Sequence, residues 1–215
     1  MFEILSKIIP LDLASTLSPG IFALTIILLG NKSYSMLRTL SMFFGTLLVG
    51  VGIALLGYFL GQAAPTGIKQ NITSSVVDII LGSFFIIFGI KTLFLKERKI
   101  KFKEGQNLQI IKWFIVGLII SATNFDALFL SLTAAKEVGG TEINILEQII
   151  LLVVNVLFFT LPTTLPLLLT IFLPRFAHSI LTSINVFVLK YSKYIVCLLF
   201  IIFGIIFIYR GIKFF

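Results

Sequence analysis

Asp126 is an acidic residue inside a stretch that is otherwise apolar from about Ile111 to Ala135, and Ser121, Thr123, Asn124 and Ser131 gather around it. A carboxylate at the centre of a membrane-spanning helix costs about 2.5–3.5 kcal/mol on insertion scales and is rarely kept without use. It could bind a coupling proton, a cation or a cationic head group; the plainer role is a helix-packing hydrogen bond made while protonated. Near the start of the chain, Ser15, Ser18, Pro19 and Gly20 interrupt another apolar stretch. Pro19 removes a backbone hydrogen bond and Gly20 relaxes the chain, which frees carbonyls and amides to face a ligand or a water-filled cavity. Asn155, Pro162 and Pro166 complete the candidate substrate- or ion-binding set. The two prolines suit a hinge between access states or a static kink. Taken singly, Asn124 and the serines and threonines read first as glue between helices.

Other chemistries are excluded by what the chain lacks. One cysteine, Cys197, and one histidine, His178, allow no intrachain disulfide, no CxxC redox pair and no Cys/His zinc cluster. There is no Gly-rich phosphate loop, nucleophile elbow or metalloprotease helix. Neither a catalytic residue, a metal nor a cofactor is expected.

The elements that must position these residues are membrane spans. The chain has 215 residues, of which 58% are hydrophobic and 12% charged, with a mean hydropathy of +1.12; a soluble domain is roughly a quarter charged. At about 20 apolar residues per crossing, the length has room for about six spans and little else. The first runs from about Ile8 to Gly30, interrupted by Pro10, Asp12 and Ser18-Pro19-Gly20. The second, Leu40 to Gly61, contains Gly45, Gly50, Gly52 and Gly57, which let backbones approach closely. The third lies between about Ser75 and Leu95, the fourth between Ile111 and Ala135, and the fifth, broken by Pro162 and Pro166, between Gln148 and Pro174. Phe176 to Leu189 reads as an amphipathic segment along the interface, and the sixth span starts near Lys190 and ends near Arg210. On a straight fourth span Ser121, Asn124 and Ser131 share one side while Thr123, Asp126 and Thr133 share the other. That span is therefore either buried on both sides or unwound near Asn124.

The net charge of +8 is read as a topology signal rather than a nucleic-acid footprint. Twelve basic residues flank the loops after spans one, three and five, whereas Lys7, Lys69, Lys136, Arg210 and Lys213 fall on the opposite side. The positive-inside rule then places the loop 96–110 in the cytoplasm and both termini outside. Asp78 and Lys193, near helix ends, are read as snorkelling side chains.

The chain also echoes itself. Phe85-Ile86-Ile87-Phe88-Gly89-Ile90 recurs as Phe200-Ile201-Ile202-Phe203-Gly204-Ile205, and Ser15, Ser18 and Thr25 have the spacing of Ser121, Asn124 and Ser131. Three spans per copy make the second copy cross the membrane in the opposite sense, an arrangement used by many secondary transporters. The expected fold is an all-α membrane protein of six transmembrane helices in two inverted three-helix repeats, each with a discontinuous first helix. The division is 1–95 for the first repeat, 96–110 for a basic cytoplasmic loop and 111–215 for the second repeat. A binding site is expected where the broken helices meet.

In Gly117 to Ala135 (Gly-Leu-Ile-Ile-Ser-Ala-Thr-Asn-Phe-Asp-Ala-Leu-Phe-Leu-Ser-Leu-Thr-Ala-Ala), Leu161-Pro162 with Leu165-Pro166, and Leu181 to Gly211, the chain resembles the LysE superfamily of small exporters. The closer similarity is to the GAP-like branch, the peptidoglycolipid-addressing or Sap family. Where that branch tends to show Asn-Pro-Lys-Asn, this chain has Asn124-Phe125-Asp126-Ala127. The resemblance implies export of a lipid-linked or glycolipid substrate from a prokaryotic plasma membrane; other branches handle amino acids or metal cations. Expected partners are membrane lipids and a small-molecule or lipid substrate, with no nucleic acid and with room for a homo-oligomer. A membrane scaffold subunit without transport is the rival from another class.

Overall fold

Long apolar runs fold as helices because every backbone polar group must be satisfied within the segment once water is gone. In the computed structural model, which describes residues 2–30, 35–64, 72–94 and 110–213, every regular element is an α-helix. In chain order these are α1 (Phe2–Ser15), α2 (Pro19–Gly30), α3 (Ser35–Ala63), α4 (Ile72–Phe94), α5 (Ile110–Ala122), α6 (Phe125–Gly139), α7 (Ile145–Phe172) and α8 (Pro174–Ile212). Four of them, α3, α4, α7 and α8, are long and apolar enough to cross a membrane. The pairs α1/α2 and α5/α6 are bent by 55° and 73° at breaks of a few residues, and each has the apolar character of one further span. The protein is a multi-pass helical membrane protein. Lys32, Lys69 and nearly all of the basic loop 96–110 lie outside the described residues.

Three stretches differ from the sequence reading. Phe176 to Leu189 is the first part of the 39-residue helix α8: no proline follows Pro174 and no glycine precedes Gly204, so nothing ends the helix at Leu189. At 1.5 Å per residue α8 is about 58 Å long, nearly twice the hydrocarbon thickness. Pro162 and Pro166 do not break α7, which stays helical through both. Thr160, Thr164 and Thr170 there turn their hydroxyls back onto the carbonyls of Val156, Thr160 and Pro166. Asp78 does not snorkel: its side chain is fully buried.

Glycines set how the helices pack. A Cβ at Gly45 would overlap the Phe114 carbonyl, and one at Gly117 would overlap that of Met42, so α3 and α5 touch backbone to backbone. Gly61 and Gly139 make the same reciprocal contact between α3 and α6, on the carbonyls of Lys136 and Tyr58. Gly57 likewise faces the Leu132 carbonyl, and Gly50 accommodates the Phe159 ring, whereas Gly52 faces open space.

Helices α4 and α8 meet through Gly82 and Gly204, each of which would set a Cβ within 3 Å of the other's carbonyl. Phe85 and Phe200, which hold the same place in the two hexapeptide echoes, stack with centroids 4.9 Å apart and rings 26° from parallel. Both are fully buried in a core shared with Ile8, Leu11, Leu130 and Leu151. The outer faces carry large apolar side chains such as Leu56, Phe59, Ile80, Ile119 and Leu157, far more than a soluble monomer exposes.

Candidate functional site

The two breaks form for different local reasons. At the first, Ser15 and Thr16 turn their hydroxyls onto the carbonyls of Asp12 and Leu13 at 2.7 and 2.6 Å, satisfying the end of α1. Pro19 then opens α2, where its missing N–H would have had no intrahelical partner and its fixed φ suits the first helical position. The Ser18 carbonyl accepts from Phe22 N at 3.0 Å. At the second break no proline acts. Asn124 leaves the helical region with φ −85° and ψ 70°, and although it stands at the N-cap of α6, its side chain caps nothing there. Its amide reaches across instead and donates to Ser18 Oγ. The two interruptions thus touch, at positions with the same place in the Ser15/Ser18/Thr25 and Ser121/Asn124/Ser131 echo.

A polar triad lies further along the same helices, with Asp12 six residues before Ser18 and Ser131 seven after Asn124. Asn155 of α7 donates from Nδ2 to Asp12 Oδ1 at 2.6 Å and to the Ser131 carbonyl at 3.2 Å, while its Oδ1 accepts from Ser131 Oγ at 3.0 Å. Asp12, Ser131 and Asn155 are at most 1% exposed. The second carboxylate oxygen, Asp12 Oδ2, is buried with no hydrogen-bond partner among the described residues. Ser121 Oγ, Thr133 Oγ1 and Thr163 Oγ1 share that state.

Ionised side chains gather in a third place. Asp78 of α4 accepts from Lys136 Nζ of α6 and from Arg210 Nε of α8, the latter at 2.6 Å. Arg210 also forks onto Glu137 with contacts of 2.8 and 3.2 Å. Two acids face two bases, and only Arg210, with 20% of its side chain exposed, reaches the surface.

With this geometry in hand, the comparisons decide the family. The family model for "Sap, sulfolipid-1-addressing protein" matches residues 8–213, almost the whole chain. The chain belongs to that family. No curated protein and no solved structure matches it.

The sequence-predicted residues divide accordingly. Ser18 and Asn124 meet directly, with Pro19 and Gly20 half-buried beside them at the head of α2. Ser15 is buried one turn after Asp12, and Asn155 joins the triad. Pro162 and Pro166 are buried in α7, whose neighbouring Leu165 and Leu169 pack on Phe22 of α2 and Leu181 of α8. Thr123 is exposed, and its hydroxyl is returned to the Ile119 carbonyl at 2.8 Å. Asp126 is half-buried in the first turn of α6, beside the Thr92 hydroxyl of α4. A carboxylate suits that position, where the helix dipole is positive.

Sequence reasoning missed Asp12 as a site residue, although the insertion-cost argument applied to Asp126 applies to it equally. It also missed the Asp78–Lys136–Glu137–Arg210 cluster. In the sequence Lys136 and Arg210 read as loop-side charges and Asp78 as a snorkelling helix-end residue like Lys193, which lies over the Tyr194 ring.

Proposed function

We propose that the protein is an exporter of a lipid-linked or amphipathic solute. It works by alternating access between two inverted three-helix units, 1–95 and 111–215, joined by the basic segment 96–110 on the cytoplasmic side of a prokaryotic plasma membrane. The observation that carries the proposal is the direct contact of the two helix breaks, Ser18 with Asn124. In a two-fold arrangement, residues on the axis meet their own counterparts, and every other contact occurs twice with the roles exchanged. Ser18 with Asn124 and Phe85 with Phe200 are contacts of the first kind. The second kind is represented by Gly89 on Ile201 with Gly204 on Ile86, and by Gly89 on the Cys197 carbonyl with Gly204 on that of Gly82. Inverted repeats with interrupted helices at the midplane are the architecture of many secondary transporters.

A lipid-like cargo is supported by a family described as addressing a sulfolipid. A small-solute or cation exporter is the runner-up, with Asp126 as ligand; its half-exposed carboxyl at a helix start suits a cationic group. Native mass spectrometry of the purified protein tests the lipid reading. The wild type should retain lipid adducts that Asn124→Leu loses. If wild type and variant carry the same adducts, the helix crossing does not bind the lipid. If Pro19→Ala and Asp126→Asn both accumulate normally and support full physiological activity, a scaffold role replaces transport.

A further inference from the structure

Asp12 is the one fully buried carboxylate outside the Asp78 cluster among the described residues, and its surroundings fit a single small ligand. Oδ1 accepts from the Asn155 amide, while Oδ2 has no partner. Around them lie Ile8 and Leu11 of α1, Leu130 and Ala134 of α6 and Leu151 of α7, all within one apolar core. A bare ionised carboxylate in such a place is strongly disfavoured. A metal cation would need several oxygen ligands, but the side chain bonded to Asp12 presents an N–H donor. A proton on Oδ2 needs no further ligand and leaves the Asn155 bond to Oδ1 intact.

We propose that Asp12 is an exchangeable proton-binding site which couples proton movement to the export reading above, on which this inference rests. The step is an acid–base exchange: a hydronium ion gives up one O–H bond as the Oδ2–H bond forms, leaving water, and the reverse transfer later returns the proton to water. The protonated form lets α1, α6 and α7 close around the triad. The ionised form demands water, which enters only if those helices separate.

Among the described side chains no second charge shares the site. Of the elements packed on α1, α7 offers only Glu147, at its N-terminal end. Helix α6 offers Asp126 beside Thr92, and Lys136 and Glu137 inside the cluster with Arg210 of α8. Lys190 and Lys193 of α8 lie over the rings of Tyr191 and Tyr194. On α1 itself Lys7 is exposed.

Infrared difference spectroscopy of the full-length protein in liposomes, titrated with acid and base, reads the site without any cargo. The wild type should show a carboxylic C=O band that disappears in Asp12→Asn, persists in Asp126→Asn and shifts in Asn155→Ala. Asn155→Ala retains the carboxyl, so it remains informative if Asp12→Asn fails to fold. A band untouched by the Asp12 and Asn155 variants, or one that never titrates, overturns the proposal. Coupling is read in the same vesicles with an internal pH dye and a fluorescent glycolipid as probe. Glycolipid movement should be accompanied by proton movement that Asp12→Asn abolishes. Glycolipid movement without proton movement overturns the coupling and leaves the transporter reading standing. A titrating Asp12 in vesicles that move no glycolipid supports the proton site and removes the transporter reading.

Discussion

Asn155 is bonded at both ends of its amide inside the core, to Asp12 on α1 and to Ser131 on α6. Replacing it by leucine preserves approximate volume but removes the donor that Asp12 has, and leaving a buried polar group unsatisfied costs about 1–3 kcal/mol. Asn155→Leu should therefore lower unfolding stability in detergent by about that amount, whereas Ser183→Ala, at an exposed position on α8, should change it far less. At this scale the sequence was half legible. Ser18, Asn124 and Asn155 could be picked out because polar residues stand out in apolar runs. Asp12 stood out equally, but it lies near the chain start, where a charge is easily read as a helix-end residue. Only the packing of α1 against α6 and α7 buries its oxygens. Thr123 shows the opposite failure: its type suggested a ligand, yet its helical register turns it outward and its hydroxyl satisfies its own helix.

Among the elements, the ion cluster is where burial changes the meaning of charge. Asp78 accepts from both Lys136 and Arg210, so its removal leaves the buried Lys136 without its carboxylate, while Arg210 keeps Glu137. Breaking a buried pair in this way costs about 3–5 kcal/mol. Asp78→Ala should thus lower thermal stability in detergent steeply, while Lys193→Ala, at a partly exposed position over a tyrosine ring, should shift it little. Equal effects from the two variants would contradict the cluster's role. Except at the start of α8, helix boundaries were legible to within several residues because hydropathy marks where backbone must satisfy itself. The unwound turn at Asn124 was legible from polar residues falling on both faces of one span. What escaped was long-range: which glycines face a carbonyl, as Gly57 does and Gly52 does not, and which charges end on a partner three helices away. The prolines of α7 misled because their expected break is absorbed within a buried, continuous helix.

The described helices present an apolar exterior around two polar groups, the Asp12–Asn155–Ser131 triad and the ion cluster that joins α4, α6 and α8. In the transport reading, the two units rock about the axis marked by Phe85, Phe200, Ser18 and Asn124, and the ion cluster closes one end of the path. Lys136 and Arg210 are held in that cluster. The most direct measurement is leaflet transfer of a head-group-labelled fluorescent glycolipid in proteoliposomes, followed by an impermeant quencher outside. Wild-type vesicles should expose inner-leaflet label faster than protein-free vesicles, and folded Asn124→Leu should return the rate to the protein-free value. Wild-type transfer no faster than in protein-free vesicles, or unchanged transfer in the folded variant, would contradict export of such a lipid through the crossing of the broken helices.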